Sequence, residues 1–364
     1  LARAKGRESA FRLTAGGGRM ARGAVKISKL PAPRAAAGDA WMTSFAGEVR
    51  EVYRGHLAEL ERRHRELAPG LATARGVSAA VEAIVCHLCG ALRLWMGPRL
   101  RRAPAVVALG GFGRRELSPR SDIDLLFLWD KRPGPAGTAF AGYLVRMLWD
   151  AGLELGHSVR TLAELRSALA RDGDLKTAVL DSRWLCGEER LRDDLAAIRS
   201  GIRERDGGAL LEAKLEETRR RWRKHGGSFH LIEPNVKESP GGLRDYQVIR
   251  WVGMTLPWDG TLEGLYRLAV IDRPDIREVE RAFDFLLRTR SELHFLMQTN
   301  WNVLTLDMQR RAARGLGYTD GGGLLAVERF MRDYYAMTRA IYAVLERILE
   351  ETRGEGSLRI IDDA

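Results

Sequence analysis

The sequence predicts an α+β protein in which a small mixed sheet with helices packed on it is followed by an all-α domain. Apolar runs that alternate with helix-like segments are confined to residues 105–160, a pattern typical of such a sheet. From about residue 161 onward, apolar residues recur with helical spacing almost to the end of the chain. The length of 364 residues and the hydrophobic fraction of 45% are sufficient for two or three domains with sizeable cores.

The spacing of apolar residues also assigns the individual elements. Two helices are predicted before the sheet, at residues 41–68 and 77–96, and the first of them ends at Pro69-Gly70. Within the sheet region the pattern predicts strands at 105–109, 123–129 and 153–160 and a helix at 140–151. Further helices are predicted at 162–169, 175–185, 191–202, 210–224, 243–252, 261–269, 275–298, 306–315 and 322–352.

These elements divide the chain into four parts. Residues 1–40 hold nine Lys or Arg and two acidic residues among many Gly and Ala, and this composition predicts a disordered basic tail. The sheet-bearing domain and its two preceding helices are placed at residues 41–160, and the helical domain is placed at 161–352. Residues 353–364 are predicted to be a C-terminal tail or a truncated linker.

The formal net charge of +11 would by itself favour a nucleic-acid partner. Most of that excess lies in the basic tail, however, and the balance over the rest of the chain is unremarkable. We therefore predict no nucleic-acid partner, because the positive charge is not concentrated on a folded domain. No apolar run approaches the roughly 18 residues that span a bilayer, so no membrane partner is predicted either.

The three cysteines Cys86, Cys89 and Cys186 suggest a reducing compartment and hence a cytoplasmic location. Cys86 and Cys89 form a CxxC motif, but no second pair of ligands exists at the spacing that a zinc site requires. The motif lies in a predicted helix, where residues three apart share a face, so buried structural thiols are the favoured interpretation.

The segment between Gly110 and Leu128 contains the strongest chemical signal. The turn at Gly110-Gly111 follows an apolar strand and leaves room for backbone N–H groups to approach a phosphate. Asp122 and Asp124 accompany the next strand, where period-two alternation directs both to one side. Adjacent carboxylates repel each other unless a cation lies between them, and Mg²⁺ prefers one or two carboxylates plus substrate phosphates. These residues predict a nucleoside-triphosphate site with Asp122 and Asp124 as metal ligands.

The order of residues in this segment resembles the nucleotidyltransferase superfamily that includes DNA polymerase β, and more specifically the PII uridylyltransferase family. The resemblance rests on Gly110–Arg114, Glu116, Leu117, Pro119 and Ser121–Leu126. It implies a polymerase-β-like nucleotidyltransferase fold for the sheet-bearing domain. Phe112 and Arg115 depart from the Tyr and Gly expected at their positions.

A second motif, His230–Asp245, resembles the helical domain of the same family. That domain carries a Glu-Pro-Asn-x-Lys run followed by Pro-Gly-Gly-Leu-Arg-Asp. The pattern Lys214, Arg221 and Gly226 fits as well, and so does the run Val327–Tyr335. Two separated motifs in the right order argue against a chance match, and together they extend the resemblance over residues 41–352.

The resemblance implies transfer of UMP from UTP to a tyrosine of the PII nitrogen-signalling protein, with release of pyrophosphate. The expected mechanism is an in-line displacement that uses two Mg²⁺ ions at Asp122 and Asp124. The superfamily takes a third carboxylate from a later strand, and Glu154 is the candidate that helps to deprotonate the tyrosine hydroxyl. The candidates for nucleotide binding are Gly110, Gly111, Arg114, Ser121, Lys237 and Arg244.

Structural alternatives stay open for several of these residues. Ser121 is equally suited to capping the turn before its strand. The Pro-Gly-Gly turn at residues 240–242 either brings backbone close to a ligand or serves packing. Lys237 and Arg244 are candidates for contact with the phosphate, base or ribose. The alternative is that Arg244 and Asp245 cap and orient the helix that follows, since an acid suits a first helical turn.

In that family, an HD-type metal phosphohydrolase domain that removes the nucleotide and two glutamine-sensing ACT domains follow the helical domain. No His-Asp dipeptide occurs in this chain, so we expect it to carry the transfer half alone. Other functions stay open: adenylyl transfer to glutamine synthetase or a small molecule, an inactive module that binds nucleotide or PII, and, least favoured, a nucleic-acid polymerase. The retained aspartates and glycines favour an active enzyme, and the second motif favours the PII family.

Overall fold

The computed structural model describes residues 39–255, 262–267 and 270–352, together with Leu30. The predicted C-terminal tail and nearly all of the predicted basic tail lie outside the described residues. The helices are α1 (Trp41–Arg65), α2 (Gly70–Met96), α3 (Gly110–Gly113), α4 (Pro135–Asp150), α5 (Leu162–Leu169), α6 (Gly173–Leu180), α7 (Arg190–Gly201), α8 (Gly207–Lys224), α9 (Leu243–Thr255), α10 (Leu262–Arg267), α11 (Arg273–Met297), α12 (Leu306–Gly315) and α13 (Ala326–Glu351).

The mixed sheet that the sequence predicts is present and has four strands. They are β1 (Ala105–Ala108), β2 (Ile123–Trp129), β3 (Leu155–Thr161) and β4 (Arg183–Gly187), in the spatial order β3-β2-β1-β4. Strand β1 pairs antiparallel with both β2 and β4, whereas β2 and β3 are parallel. With the helices that follow, this confirms the predicted α+β class.

Strand β4 corrects the sequence prediction. Residues 175–185 are predicted as one helix, but α6 ends at Leu180 and the chain then pairs with the free edge of β1. A five-residue strand carries too little periodicity to be separated from the end of a helix, and only its pairing partner reveals it. The sheet therefore extends past residue 160, which is the predicted end of the sheet-bearing domain.

Alternation along β2 distributes its side chains between two cores. Ile123, Leu125 and Phe127 pack with α1, α2 and α4, whereas Leu126 and Leu128 pack on the opposite face with α5, α6 and α7. Helices α8, α9, α11, α12 and α13 enclose a further apolar core of their own. Asp124 shares the face of Leu126 but is the second residue of the strand, and its side chain is exposed.

Helix α2 overturns the prediction that no apolar run approaches membrane-spanning length. By length and composition the segment Gly70–Arg99, whose most apolar 18-residue stretch has a mean hydropathy of 1.6, could cross a bilayer. In the fold, 56% of its most apolar stretch is buried, and the helix packs against α1, α4, α11 and β4. A core helix of a folded domain passes the same composition test, so this helix is weak evidence for a membrane.

The cysteines occupy neighbouring positions on α2 and β4, and all three are free thiols. Cys89 is buried, as predicted, whereas Cys86 and Cys186 are partly buried. The Cys86 thiol donates to the backbone carbonyl of Leu185, with 3.6 Å between Sγ and the oxygen. No three His, Cys, Asp or Glu side chains within the described ranges are arranged to hold a metal ion.

Helix α11 holds the N-terminal helices through two acidic side chains. Asp284 accepts the N–H groups of Gly70 and Leu71 at 3.2 and 2.8 Å, and thereby satisfies donors that the first turn of α2 leaves free. Glu292 is fully buried and contacts both His64, at 3.0 Å, and Arg65. These contacts fix the helical region against the helices that cover the sheet.

On its other side, α11 contacts the loop that leads into β2. Nδ1 of the buried His294 accepts the backbone N–H of Arg120 at 3.2 Å, so its ring proton is on Nε2, which lies 3.5 Å from Oδ1 of Asn302. Burial, together with the nearby positive charge of Arg290, lowers the pKa of His294 to about 3. The imidazole is therefore neutral over the ordinary pH range.

We expect Glu292→Ala to lower the free energy of unfolding by about 3 kcal/mol, because His64 and Arg65 lose their shared buried carboxylate. Urea unfolding of wild type and variant measures this loss. The control is Glu278→Ala, which removes an exposed acid from the same helix and should change the value by less than about 0.5 kcal/mol. Equal losses in the two variants would contradict the bridging role.

The pH dependence of stability should carry a contribution from His294. Its stabilising effect is complete above the unfolded-state pKa of about 6.5, and decreases by up to about 1.4 kcal/mol per pH unit as the pH falls toward the folded value. Comparing unfolding of wild type and His294→Gln at neutral and mildly acidic pH isolates this group. The stability difference should shrink on acidification, and parallel pH profiles would contradict it.

Candidate active site between the sheet and the helical region

The glycine turn after β1 lies directly against the carboxylate of Asp124. The N–H of Leu109 donates to the carbonyl of Asp124 at 2.9 Å, which ties the start of the turn to β2. Gly110 adopts a φ of +51°, and a Cβ there would lie 3.6 Å from Oδ2 of Asp124. Gly113 packs so closely that a Cβ would come within 2.1 Å of the carbonyl oxygen of Asp181. The sequence thus brings this turn and the aspartate together as expected.

Asp122 and Asp124 are both exposed, one residue before β2 and one residue into it. Partial desolvation and the charge of Asp122 raise the pKa of Asp124, while Lys237 and Arg114 act in the opposite direction. The partner of Asp124 on β3 is Gly156, where a Cβ would lie 2.9 Å from Oδ1 of the carboxylate. The pair therefore has open space beside it and a repulsion that a divalent cation would relieve.

Glu154 is exposed and immediately precedes β3. Its carbonyl accepts the N–H of Ile123 at 3.0 Å, which places its backbone beside the start of β2. No three potential metal-ligating side chains converge in the described part of the chain, so Glu154 does not complete a three-carboxylate group here. Its role as the third carboxylate stays a prediction.

Arg114 makes its hydrogen bonds to the protein. Its side chain is only 7% exposed and pairs with Glu116 and Asp181. Glu116 in turn accepts from Arg250 at 2.9 Å, and Asp181 accepts from Nε1 of Trp251 at 3.1 Å. This network joins the glycine turn to α9, and a direct contact of Arg114 with phosphate stays a prediction.

Ser121 closes the turn before β2, which is one of the two roles considered for it. Its hydroxyl accepts the N–H of Ser118 at 3.2 Å, and its own N–H donates to the carbonyl of Ser118 at 3.0 Å. A contact of the hydroxyl with phosphate stays a prediction.

The second sequence motif brings Lys237 close to Asp124 and places Arg244 close to Lys237. The N–H of Val236 donates to the carbonyl of Asn302 at 2.8 Å, which fixes the segment against the end of α11. Lys237 and Arg244 then share Glu238, whose Oε1 lies 3.8 Å from Nζ of Lys237 and 3.4 Å from the guanidinium of Arg244. Desolvation and the neighbouring cations lower the pKa of Lys237. Two cations therefore share a single acid in this part of the helical region.

The Pro-Gly-Gly turn serves packing. Gly241 has a φ of +75°, and a Cβ there would lie 2.2 Å from the carbonyl oxygen of Thr338 on α13. The fully buried Asp245 accepts the N–H of Gly241 at 2.6 Å and Nε1 of Trp222 at 2.9 Å, and pairs with Arg221. These contacts agree with the alternative in which Asp245 orients the helix.

Residues in and just after α11 lie near Asp122, and they are not among the site residues predicted from the sequence. Nε of Arg290 donates to Oδ1 of Asn302 at 2.7 Å, and its Nη2 lies 3.3 Å from Oδ1 of Asn300. Nδ2 of Asn300 lies 3.5 Å from Oδ2 of Asp122. The only local signal is the polar run that ends a long amphipathic helix, and nothing in it indicates contact with β2.

The arrangement has the chemistry of a site for a metal–polyphosphate complex. Exposed carboxylates of the sheet lie beside glycines that leave backbone room, and Arg114, Lys237, Arg244 and Arg290 act electrostatically on one another or on the aspartates. Carboxylate oxygens suit Mg²⁺, and Lys and Arg side chains suit phosphate oxygens.

Comparisons with known proteins agree with this chemistry. The family model described as GlnD PII-uridylyltransferase matches residues 209–349. Similar proteins include the bifunctional uridylyltransferase/uridylyl-removing enzymes of Phenylobacterium zucineum (34% identical over 85% of this chain), Caulobacter vibrioides (34% over 86%) and Cereibacter sphaeroides (34% over 89%). The chain spans about a third (34%) of the length of each relative. The chain therefore carries a PII-uridylyltransferase family domain at residues 209–349 and, over the part that it spans, is similar to bifunctional uridylyltransferase/uridylyl-removing enzymes, as its two sequence motifs predict.

Proposed function

We propose that this chain transfers UMP from UTP to a tyrosine hydroxyl of a PII signalling protein and releases pyrophosphate. The observation that carries the proposal is the exposed Asp122–Asp124 pair, which lies against the glycine turn and faces cations of the helical region. The relatives carry the name uridylyltransferase, and the family model that matches the helical region carries the name PII-uridylyltransferase.

The donor set supports Mg²⁺ as the cofactor. Asp122 and Asp124 offer oxygen ligands on one side of β2, and Gly156 leaves open the space that a side chain would fill. When bound, Mg²⁺ neutralises charge on the triphosphate and favours the ionised form of the attacking hydroxyl. Asp122 and Asp124 are the residues that would hold it.

The remaining work falls to side chains of this chain. In the proposed reaction the tyrosine oxygen forms a bond to the α-phosphorus, and the bond between that phosphorus and the bridging oxygen to the β-phosphate breaks. Gly110, Gly111, Lys237 and Arg244 bind and orient the triphosphate, with Arg114 and Ser121 holding the turn beside it. The phenol has an ordinary pKa of about 10, so its proton needs an acceptor, and we assign that role to the exposed Glu154.

The test of the function is transfer of α-labelled UTP onto purified PII protein in the presence of Mg²⁺. We expect label on PII, and we expect Asp122→Asn and Asp124→Asn each to reduce transfer more than about 100-fold, because each removes a metal-binding charge. Asp130→Asn is the matched control: it changes an exposed acid just after the same strand and should retain transfer within about twofold.

Competition with ATP and a parallel assay with α-labelled ATP test the base and the acceptor. Label transferred from ATP in preference to UTP would replace the proposal with adenylyl transfer. Binding of UTP by a folded chain without any transfer to PII would replace it with an inactive binding module.

Replacing the assigned proton acceptor gives a separate prediction. We expect Glu154→Gln to reduce the transfer rate by roughly 100-fold or more while UTP affinity stays unchanged, because a general base acts on the acceptor hydroxyl and not on the bound nucleotide. Initial rates across pH measure this, and the variant should lose the acidic limb of the profile. An unchanged rate and profile would assign the proton to another group.

A further inference from the structure

Arg290 lies near Asp122 with no carboxylate partner among the described ion pairs. It is half-buried on α11, and the oxygens that it contacts belong to the amide side chains of Asn302 and Asn300. Arg114 and Arg250 differ in this respect, since each pairs with Glu116. Withdrawing a cation from water is costly unless an anion compensates, so the position of Arg290 calls for one.

The surroundings of Arg290 increase that demand. Burial, followed by the like charges of Arg114 and Arg244, lowers the pKa of Arg290 to about 10. Glu238 and Asp122 act in the opposite direction but do not remove the depression. Burial, followed by the charge of Arg290, likewise lowers the pKa of Lys237. The cluster thus holds mutually repelling cations that a bound polyanion would stabilise.

Hydrogen bonds fix where the guanidinium points. Nε of Arg290 donates a hydrogen bond to Oδ1 of Asn302, and Nδ2 of Asn302 donates to Oδ1 of Asn300 at 3.3 Å. Asn300 then reaches Asp122, so the guanidinium is one side chain away from the proposed metal ligand. The guanidinium has further N–H groups besides the two that contact these amides, and a planar guanidinium binds phosphate oxygens in pairs.

We propose that Arg290 binds the β- and γ-phosphates of the nucleoside triphosphate and stabilises the departing pyrophosphate. The inference rests on the proposed function for the identity of the nucleotide, but the polyphosphate recognition is a separate property. As the bond from the α-phosphorus to the bridging oxygen breaks, negative charge grows on pyrophosphate, and a fixed cation stabilises that charge. The helical region is then part of the active site as well as its support.

The competing explanation is structural: Arg290 would do no more than join α11 to the segment after it through Asn300 and Asn302. The two explanations differ in ligand dependence. A phosphate-binding role depends on the number of phosphates, whereas a structural role affects all nucleotides alike.

The experiment compares wild type, Arg290→Gln and Arg290→Lys by calorimetric titration with UTP, UMP and inorganic tripolyphosphate, each with Mg²⁺. We expect Arg290→Gln to weaken UTP and tripolyphosphate binding at least about tenfold and to leave UMP binding within about twofold, as the loss of charge-assisted hydrogen bonds requires. Arg290→Lys should recover part of the affinity, because it keeps the charge and loses the fork.

Arg281→Gln is the matched control, since it removes an exposed arginine from the same helix and should leave all three affinities unchanged. Equal weakening of UTP and UMP, or unchanged tripolyphosphate affinity, would overturn the assignment. If Arg290→Gln fails to fold, the UTP-to-UMP affinity ratio of Arg290→Lys decides in the same way.

The outcomes separate this inference from the proposed function. Selective loss of tripolyphosphate binding in the variants, in a protein that transfers nothing to PII, would support the inference and overturn the function. If the variants transfer UMP to PII and keep the wild-type ratio of UTP to UMP affinity, the proposed function would be supported and the inference about Arg290 overturned.

Discussion

The structure depends on the buried guanidinium of Arg114. It lies between Glu116 and Asp181, which also accept hydrogen bonds from Arg250 and Trp251 of α9. Breaking such a network leaves an uncompensated charge inside the protein, at a cost of about 3–5 kcal/mol. These contacts hold together the glycine turn, the end of α6 and helix α9. They thereby fix the position of the sheet relative to the helical region.

This junction makes the candidate site composite. The sheet supplies the carboxylates of Asp122 and Asp124, whereas the helical region supplies Lys237, Arg244 and Arg290. Helix α11 takes part in both regions: Glu292 contacts His64 and Arg65 of α1, while Arg290 contacts Asn300 and Asn302 near Asp122. Cations and carboxylates that are far apart in the chain meet because the buried contacts leave the two regions little freedom to separate.

Residues of the second motif fall into two groups, one that packs inside the protein and one that stays partly exposed. Its Pro-Gly-Gly turn and Asp245 are occupied by packing against α13 and by buried hydrogen bonds, whereas Lys237 and Arg244 remain partly exposed with a single acid between them. A buried acid with three donors is already satisfied, so the candidates for ligand binding are the side chains whose charge is under-compensated. The same reasoning separates Arg114, whose charge is compensated by Glu116 and Asp181, from Arg290, which has no carboxylate partner among the described ion pairs.

The sequence by itself determined most helices, the first three strands, the shared face of Asp122 and Asp124, and the nearness of the glycine turn, because these follow from local periodicity and adjacent chain segments. Only the tertiary structure decided the pairing of β4 with β1, the pairing of Arg114 with two acids, and the arrival of Arg290 and Asn300 near Asp122. Such contacts join residues remote in the chain, and a single sequence carries no local signal for the partner that a side chain meets after folding.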